Sequence, residues 1–159
     1  MLDYKTGEAM PSSPIRKLVP FAENAERAGK KVFYLNIGQP DIHTPEVAQQ
    51  AIKDADIPVL AYSHSAGFAS LRAGLSAYYH GKNLRVSSEE IIVTTGGSEA
   101  LLFTFGSAMD EGDEVIIPEP FYANYNGFAT ASGVKVVPVE ANIENGFALP
   151  PVSAFEAAI

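Results

Sequence analysis

The sequence contains no cysteine, few basic residues and no long apolar run. Without a thiol, the 159-residue chain can form no disulfide framework, thiolate zinc site or catalytic cysteine. Eleven Lys and Arg residues against nineteen Asp and Glu residues give a formal net charge of −8, which argues against binding to the phosphate backbone of nucleic acids. No apolar run approaches the ~20 residues that span a bilayer, and the N-terminus lacks the apolar core of a secretory signal. We therefore expect a cytoplasmic, soluble protein with no nucleic-acid or membrane partner.

The composition is typical of a globular chain. Hydrophobic residues make up 47% and charged residues 19% of the sequence, which excludes disorder of the whole chain. The three histidines, His43, His64 and His80, show no paired spacing of the kind that metal sites use, so we expect no metal.

Strand and helix patterns alternate along the chain. The predicted strands cover residues 32–37, 91–95, 115–117 and 134–139. Helices are predicted over residues 13–31, from 44, over 68–82, from 98, over 122–132 and from 151. This alternation predicts an α/β fold with a mostly parallel sheet covered by helices on both faces. The last helical pattern stops abruptly at Ile159, so we expect the chain to be truncated at its C-terminus.

A glycine-rich turn follows the predicted strand 91–95. Gly96 and Gly97 end that strand, and Ser98 and Glu99 begin the next helix. Small residues let a ligand approach the backbone, and the unpaired first amides of a helix favour anions, phosphate above all. The alternative is an ordinary tight turn in which Ser98 is the N-cap. The run lacks the third glycine of a dinucleotide fingerprint and the lysine of a P-loop.

Aromatic residues follow the next predicted strand, at the edge where open α/β folds bind ligands. Tyr122 could cover the face of a flat ring, although packing of the loop onto the domain is an alternative.

Gly38 ends the predicted strand 32–37, so its amide could hold a carboxylate or belong to a plain turn. Tyr62 could donate a hydrogen bond to a phosphate or be a half-buried tyrosine.

Four motifs, in order, make residues 10–159 resemble the class I, fold-type I pyridoxal-phosphate aminotransferases of the aspartate aminotransferase-like kind. They are Leu35–Asp41; Tyr62 with Ala66–Gly67 and Leu71–Arg72; Gly96–Leu101; and Asp113–Pro118 with Pro120–Tyr122 and Tyr125. The resemblance implies part of the pyridoxal-phosphate-binding large domain over residues 45–159, truncated at its C-terminus. It also implies an N-terminal arm and a small-domain segment over residues 1–44.

This resemblance implies transamination of an amino acid with a 2-oxo acid, with pyridoxal 5'-phosphate as electron sink. It implies that the backbone of Gly97, Ser98 and Glu99 holds the cofactor phosphate and that Tyr122 lies on the pyridine ring.

The resemblance also assigns roles to Gly38 and Tyr62, and it shows that the family's Schiff-base lysine has no match in this chain. Gly38 would bind the substrate carboxylate through its amide, and Tyr62 would reach the phosphate of the neighbouring subunit in a homodimer with shared active sites. No lysine lies in a motif matching the family's Schiff-base lysine, so we expect no catalytic residue within this chain and no activity from it alone. The alternatives are a non-catalytic phosphate-ligand binding module, another fold-type I enzyme such as a lyase or synthase, and a dinucleotide-dependent oxidoreductase, against which the missing glycine argues.

Overall fold

The structure, a computed structural model, describes residues 5–159. Its α-helices are α1 (Lys5–Ala9), α2 (Val19–Arg27), α3 (Glu46–Lys53), α4 (Ala69–His80), α5 (Gly97–Ala108), α6 (Asn124–Ala131) and α7 (Val152–Glu156). Its strands are β1 (Glu114–Glu119) and β2 (Lys135–Glu140), and short 3-10 helices cover Arg16–Leu18, Ser88–Glu90 and Ile143–Asn145. Within this described range, no helix combines the length and the apolar character needed to cross a membrane.

One compact unit contains residues 5–37 together with Thr95–Ile159. Its strands β1 and β2 pair in parallel, from Glu114 opposite Lys135 to Glu119 opposite Glu140, and α6 forms the crossover between them. A parallel pair needs such a crossover because its strands run in the same direction.

The core of this unit joins α5, α6 and the residue before β2. Phe105, Ala129 and Val134 form its buried cluster, against which Val115 and Val136 of the two strands are packed. The start of α5 and the segment before α6 are therefore connected to helices that pack against each other in one core.

The second compact unit spans Gly38–Thr94 and contains α3 and α4. Arg72 of α4 is its buried charged residue, and its guanidinium donates a hydrogen bond to the Ser88 carbonyl at 2.8 Å. The Ser76 hydroxyl donates to the Val86 carbonyl at 2.6 Å. These two contacts hold the chain segment 86–88 against α4.

Two predicted strands are wrong. Residues 32–37 contain a turn at Leu35 and Asn36, and residues 91–94 belong to no strand although Ile91 has extended dihedral angles. The only sheet among residues 5–159 is the β1–β2 pair. β-Branched side chains favour an extended backbone, but a strand also needs a partner with which to exchange hydrogen bonds. The Val93 amide instead donates to the Ala66 carbonyl at 3.0 Å.

The first predicted helix is shorter than the spacing of apolar residues indicated. α2 begins at Val19, and Pro20 lies in its first turn. A proline is tolerated there because the first amides of a helix have no partner within the helix. The boundary predicted between residues 44 and 45 stays a prediction, and residues 1–4 of its first segment lie outside the described residues.

Candidate functional site

The turn at the start of α5 is an open helix N-terminus. Gly96 precedes the helix with φ 83° and ψ 175°, a conformation that glycine adopts without steric cost. α5 begins at Gly97, so Ser98 lies inside the first turn, and no side chain caps the helix. The alternative in which Ser98 is the N-cap is therefore wrong. Within the described part of the chain, the Ser98 hydroxyl makes no hydrogen bond.

Three consecutive backbone amides at this turn are available to a ligand. The amides of Gly97, Ser98 and Glu99 have no acceptor among residues 5–159. A Cβ built on Gly97 would meet no heavy atom within 4 Å, so the space beside the turn is open. Amides at a helix N-terminus attract anions through their free hydrogens and the helix dipole. The turn can therefore accept hydrogen-bonding oxygens such as those of a phosphate.

The Glu99 side chain closes the same turn. Its Oε2 atom accepts a hydrogen bond from the Thr95 amide at 2.6 Å, which ties the residue before the glycines to the first turn of α5. Glu99 is half-buried, whereas Gly97 and Ser98 are exposed. The carboxylate thus accepts from the amide of Thr95 and leaves the amides of Gly97, Ser98 and Glu99 free.

Tyr122 lies between β1 and α6, in the same unit as this turn. Its side chain is 52% exposed. The Asn124 side-chain amide donates a hydrogen bond to its hydroxyl at 2.7 Å, and the Tyr125 ring stands nearly perpendicular to its ring, with centroids 6.4 Å apart. The ring is thus contacted by Tyr125, and the residue as a whole is about half exposed.

The other two candidates belong to the Gly38–Thr94 unit. Gly38 is exposed, and its amide has no acceptor among the residues that the structure describes. Tyr62 is fully exposed, so the expectation that it is half-buried is wrong, and its hydroxyl makes no hydrogen bond within residues 5–159. Both residues therefore present free hydrogen-bonding groups.

An apolar cavity lies in the first unit. Its volume is about 460 Å³, and it is lined by Met10–Pro14, Leu102, Ala123 and residues along α6. Such cavities are common ligand sites. None of Gly97, Ser98, Glu99 and Tyr122 lines it, whereas Asn124 does.

Comparison with known proteins gives one family. Residues 30–159 match the family described as aminotransferase class I and II. The chain is 34% identical over 147 residues to the (5-formylfuran-3-yl)methyl phosphate transaminase of Methanocaldococcus jannaschii, which covers 91% of this chain and 38% of that protein. It is 37% identical over 127 residues to the aspartate/prephenate aminotransferase of Thermus thermophilus, covering 79% and 33% of the two chains.

Solved structures agree with the sequence comparison. The aspartate aminotransferase of Rhizobium meliloti superimposes with a TM-score of 0.86 at 29% identity, over 100% of this chain and 40% of that one. The alanine aminotransferase of Pyrococcus furiosus gives 0.86 at 29% identity, over 99% and 41%. The chain thus has part of the fold of these enzymes, which confirms the predicted fold class. It spans less than half the length of the relatives that it matches.

Proposed function

The chain belongs to the aminotransferase class I and II family, and from this we propose that it takes part in pyridoxal-phosphate-dependent transamination of an amino acid with a 2-oxo acid. The observation that carries the proposal is the turn of free amides at Gly97, Ser98 and Glu99, beside which the space is open. These donors fit the phosphate of the cofactor, because a helix N-terminus stabilises an anion.

The chain's residues would bind and orient the cofactor. In this proposal the three amides and the Ser98 hydroxyl hold the phosphate, and Tyr122 covers one face of the pyridine ring. When bound, pyridoxal phosphate supplies an electron sink for the carbanion of the amino acid. The Gly38 amide donates to the substrate carboxylate. Proton transfer at the reacting carbon depends on the family's lysine, which no motif in this chain matches.

We also propose a homodimer with shared active sites. The exposed Tyr62 hydroxyl, which has no partner within residues 5–159, supports a contact with the phosphate in a neighbouring subunit. Sedimentation analysis together with Tyr62→Phe tests this: the variant should weaken phosphate-ligand binding only at protein concentrations at which dimers form. An equal loss in the monomer would contradict it. The cytoplasmic location stays a prediction.

Binding of pyridoxamine 5'-phosphate to the full chain tests the cofactor assignment. This form of the cofactor is suitable because an aldehyde would react with any of the chain's lysines. We expect binding by calorimetry and much weaker binding of pyridoxamine, which has no phosphate. Equal affinities for the two would contradict the phosphate site.

A pair of substitutions at Gly97 tests the amides themselves. Gly97→Pro removes one amide hydrogen, and proline is well tolerated at the first position of a helix. Because a hydrogen bond to a charged group is lost, we expect affinity for pyridoxamine 5'-phosphate to fall by about ten-fold or more. Gly97→Ala is the matched control: it keeps the amide, and its methyl group meets no atom within 4 Å. Equal affinities of the two variants would contradict the role of this amide.

A further inference from the structure

The Tyr122 ring needs support to act as a binding surface. It lies in the segment between β1 and α6, outside any helix or strand, and Tyr122 is about half exposed. A side chain in such a place moves between rotamers, and ordering it upon binding costs conformational entropy. A ring held in one orientation before binding avoids this cost.

Two neighbours restrict the ring from different directions. The Asn124 side-chain amide donates to the Tyr122 hydroxyl at 2.7 Å and holds the far end of the ring. The Tyr125 ring contacts it at a centroid distance of 6.4 Å and an interplanar angle of 82°. The Tyr125 amide also donates to the Tyr122 carbonyl at 3.0 Å, which fixes the backbone from which the ring projects.

Tyr125 is itself fixed by the core. It is packed against the buried cluster of Phe105, Ala129 and Val134. On another side it meets the Phe121 ring, nearly perpendicular, with centroids 6.0 Å apart. Perpendicular aromatic pairs of this kind are favourable beyond the area that they bury. Contacts therefore run without a break from the core through Tyr125 to the Tyr122 ring.

The same arrangement leaves a face of the ring free. A perpendicular neighbour can occupy at most one of the two faces of Tyr122, and the side chain is 52% exposed. We propose that Asn124 and Tyr125 are positioning residues that hold the Tyr122 ring so that its open face receives the flat ring of a phosphorylated pyridine. This inference rests on the proposed function, and it assigns to the two residues no contact with the cofactor.

A double-mutant cycle on the full chain tests the role of Asn124. Asn124→Ala and Tyr122→Phe each remove one partner of the same hydrogen bond, so each should weaken binding of pyridoxamine 5'-phosphate by about three-fold. The double variant should be no weaker than either single variant, because the second change has nothing left to remove. Additive losses would overturn the proposal, since Asn124 would then act through the stability of α6. Asn126→Ala is the matched control, because Asn126 is exposed in the same helix and its side chain has no hydrogen bond among the described residues.

A measurement without ligand gives a second readout. Three-bond NMR couplings report whether χ1 of Tyr122 occupies one rotamer or averages over several. We expect one rotamer in the parent chain and in Asn126→Ala, and averaging in Asn124→Ala and in Tyr125→Leu. An unchanged single rotamer in both of these variants would overturn the proposal.

Failure of the inference can be told from failure of the proposed function. If Tyr122→Ala binds pyridoxamine 5'-phosphate as well as the parent chain does, Tyr122 is not the stacking residue and the proposed function loses that contact. If Tyr122→Ala weakens binding while Asn124→Ala behaves as Asn126→Ala does, only the positioning role is overturned.

Discussion

The core beneath the candidate site can be tested with two phenylalanines of one helix. Phe105 is 5% exposed and belongs to the buried cluster, whereas Phe103, on the same helix α5, is 58% exposed. Replacing each by alanine makes the same chemical change and the same change in helix propensity. The difference between the two variants therefore reports burial alone.

The expected losses in free energy of unfolding differ clearly between the two variants. Removal of a buried phenylalanine costs about 3–5 kcal/mol, because transfer free energy is lost and a cavity remains. Burying a whole phenylalanine side chain is worth about 1.5–3 kcal/mol, so Phe103, which is less than half buried, should contribute about 1 kcal/mol. With a urea dependence of about 2 kcal/mol per molar, Phe105→Ala should lower the midpoint by about 2 M and Phe103→Ala by about 0.5 M.

Urea unfolding followed by far-UV circular dichroism measures both midpoints. Phe105→Ala should also weaken binding of pyridoxamine 5'-phosphate, because α5 carries the turn that begins at Gly97. Equal midpoint shifts in the two variants would refute the assignment of Phe105 to the core. Since the substitutions are identical, no general effect of alanine could explain such a result.

Two further predictions concern the Gly38–Thr94 unit. Gly67→Ala should destabilise the protein by about 1–3 kcal/mol more than Gly29→Ala in urea unfolding. Both glycines have positive φ, but only at Gly67 would a methyl group lie 2.6 Å from the Val93 side chain. Equal losses of stability in the two variants would contradict this packing. Hydrogen bonds from the Ser87 amide and hydroxyl lower the pKa of Glu90 below its ordinary value of 4.5, so its contribution to stability is present above that pH and is lost as pH falls through the lowered pKa. The stability difference between the parent chain and Glu90→Gln should therefore shrink in acid, and a difference independent of pH would contradict the assignment.

The start of α5 and the two strands could be predicted from sequence, because each depends on residues within the element itself. Gly96 marks the start of α5 because a positive φ favours glycine, and the observed helix begins one residue before the predicted Ser98. The strands around Val115 and Val136 were predicted from β-branched runs, and they pair with each other. The similar run 91–95 forms no strand, because pairing depends on a partner elsewhere in the chain and not on the run itself.

The candidate site shows the same division. The glycine-rich turn could be found from sequence, since free amides follow from the start of any helix. The contacts of Tyr122 with Asn124 and Tyr125 could not, because they depend on side-chain rotamers and on the packing of Tyr125 against the buried cluster. The sequence therefore predicted the aromatic residue but not the side chains that contact it.

The range of relatives bears on what selects the amino donor. The names of the matched enzymes give different substrates: aspartate and prephenate, alanine, and a furan methyl phosphate. The solved aspartate and alanine aminotransferases nevertheless superimpose on this chain equally well, each with a TM-score of 0.86. A backbone shared by enzymes with different amino donors cannot by itself select the donor. Selection must therefore come from side chains that differ among these enzymes, whereas the function proposed for the turn at Gly97 and the ring of Tyr122 is to bind a cofactor common to the family.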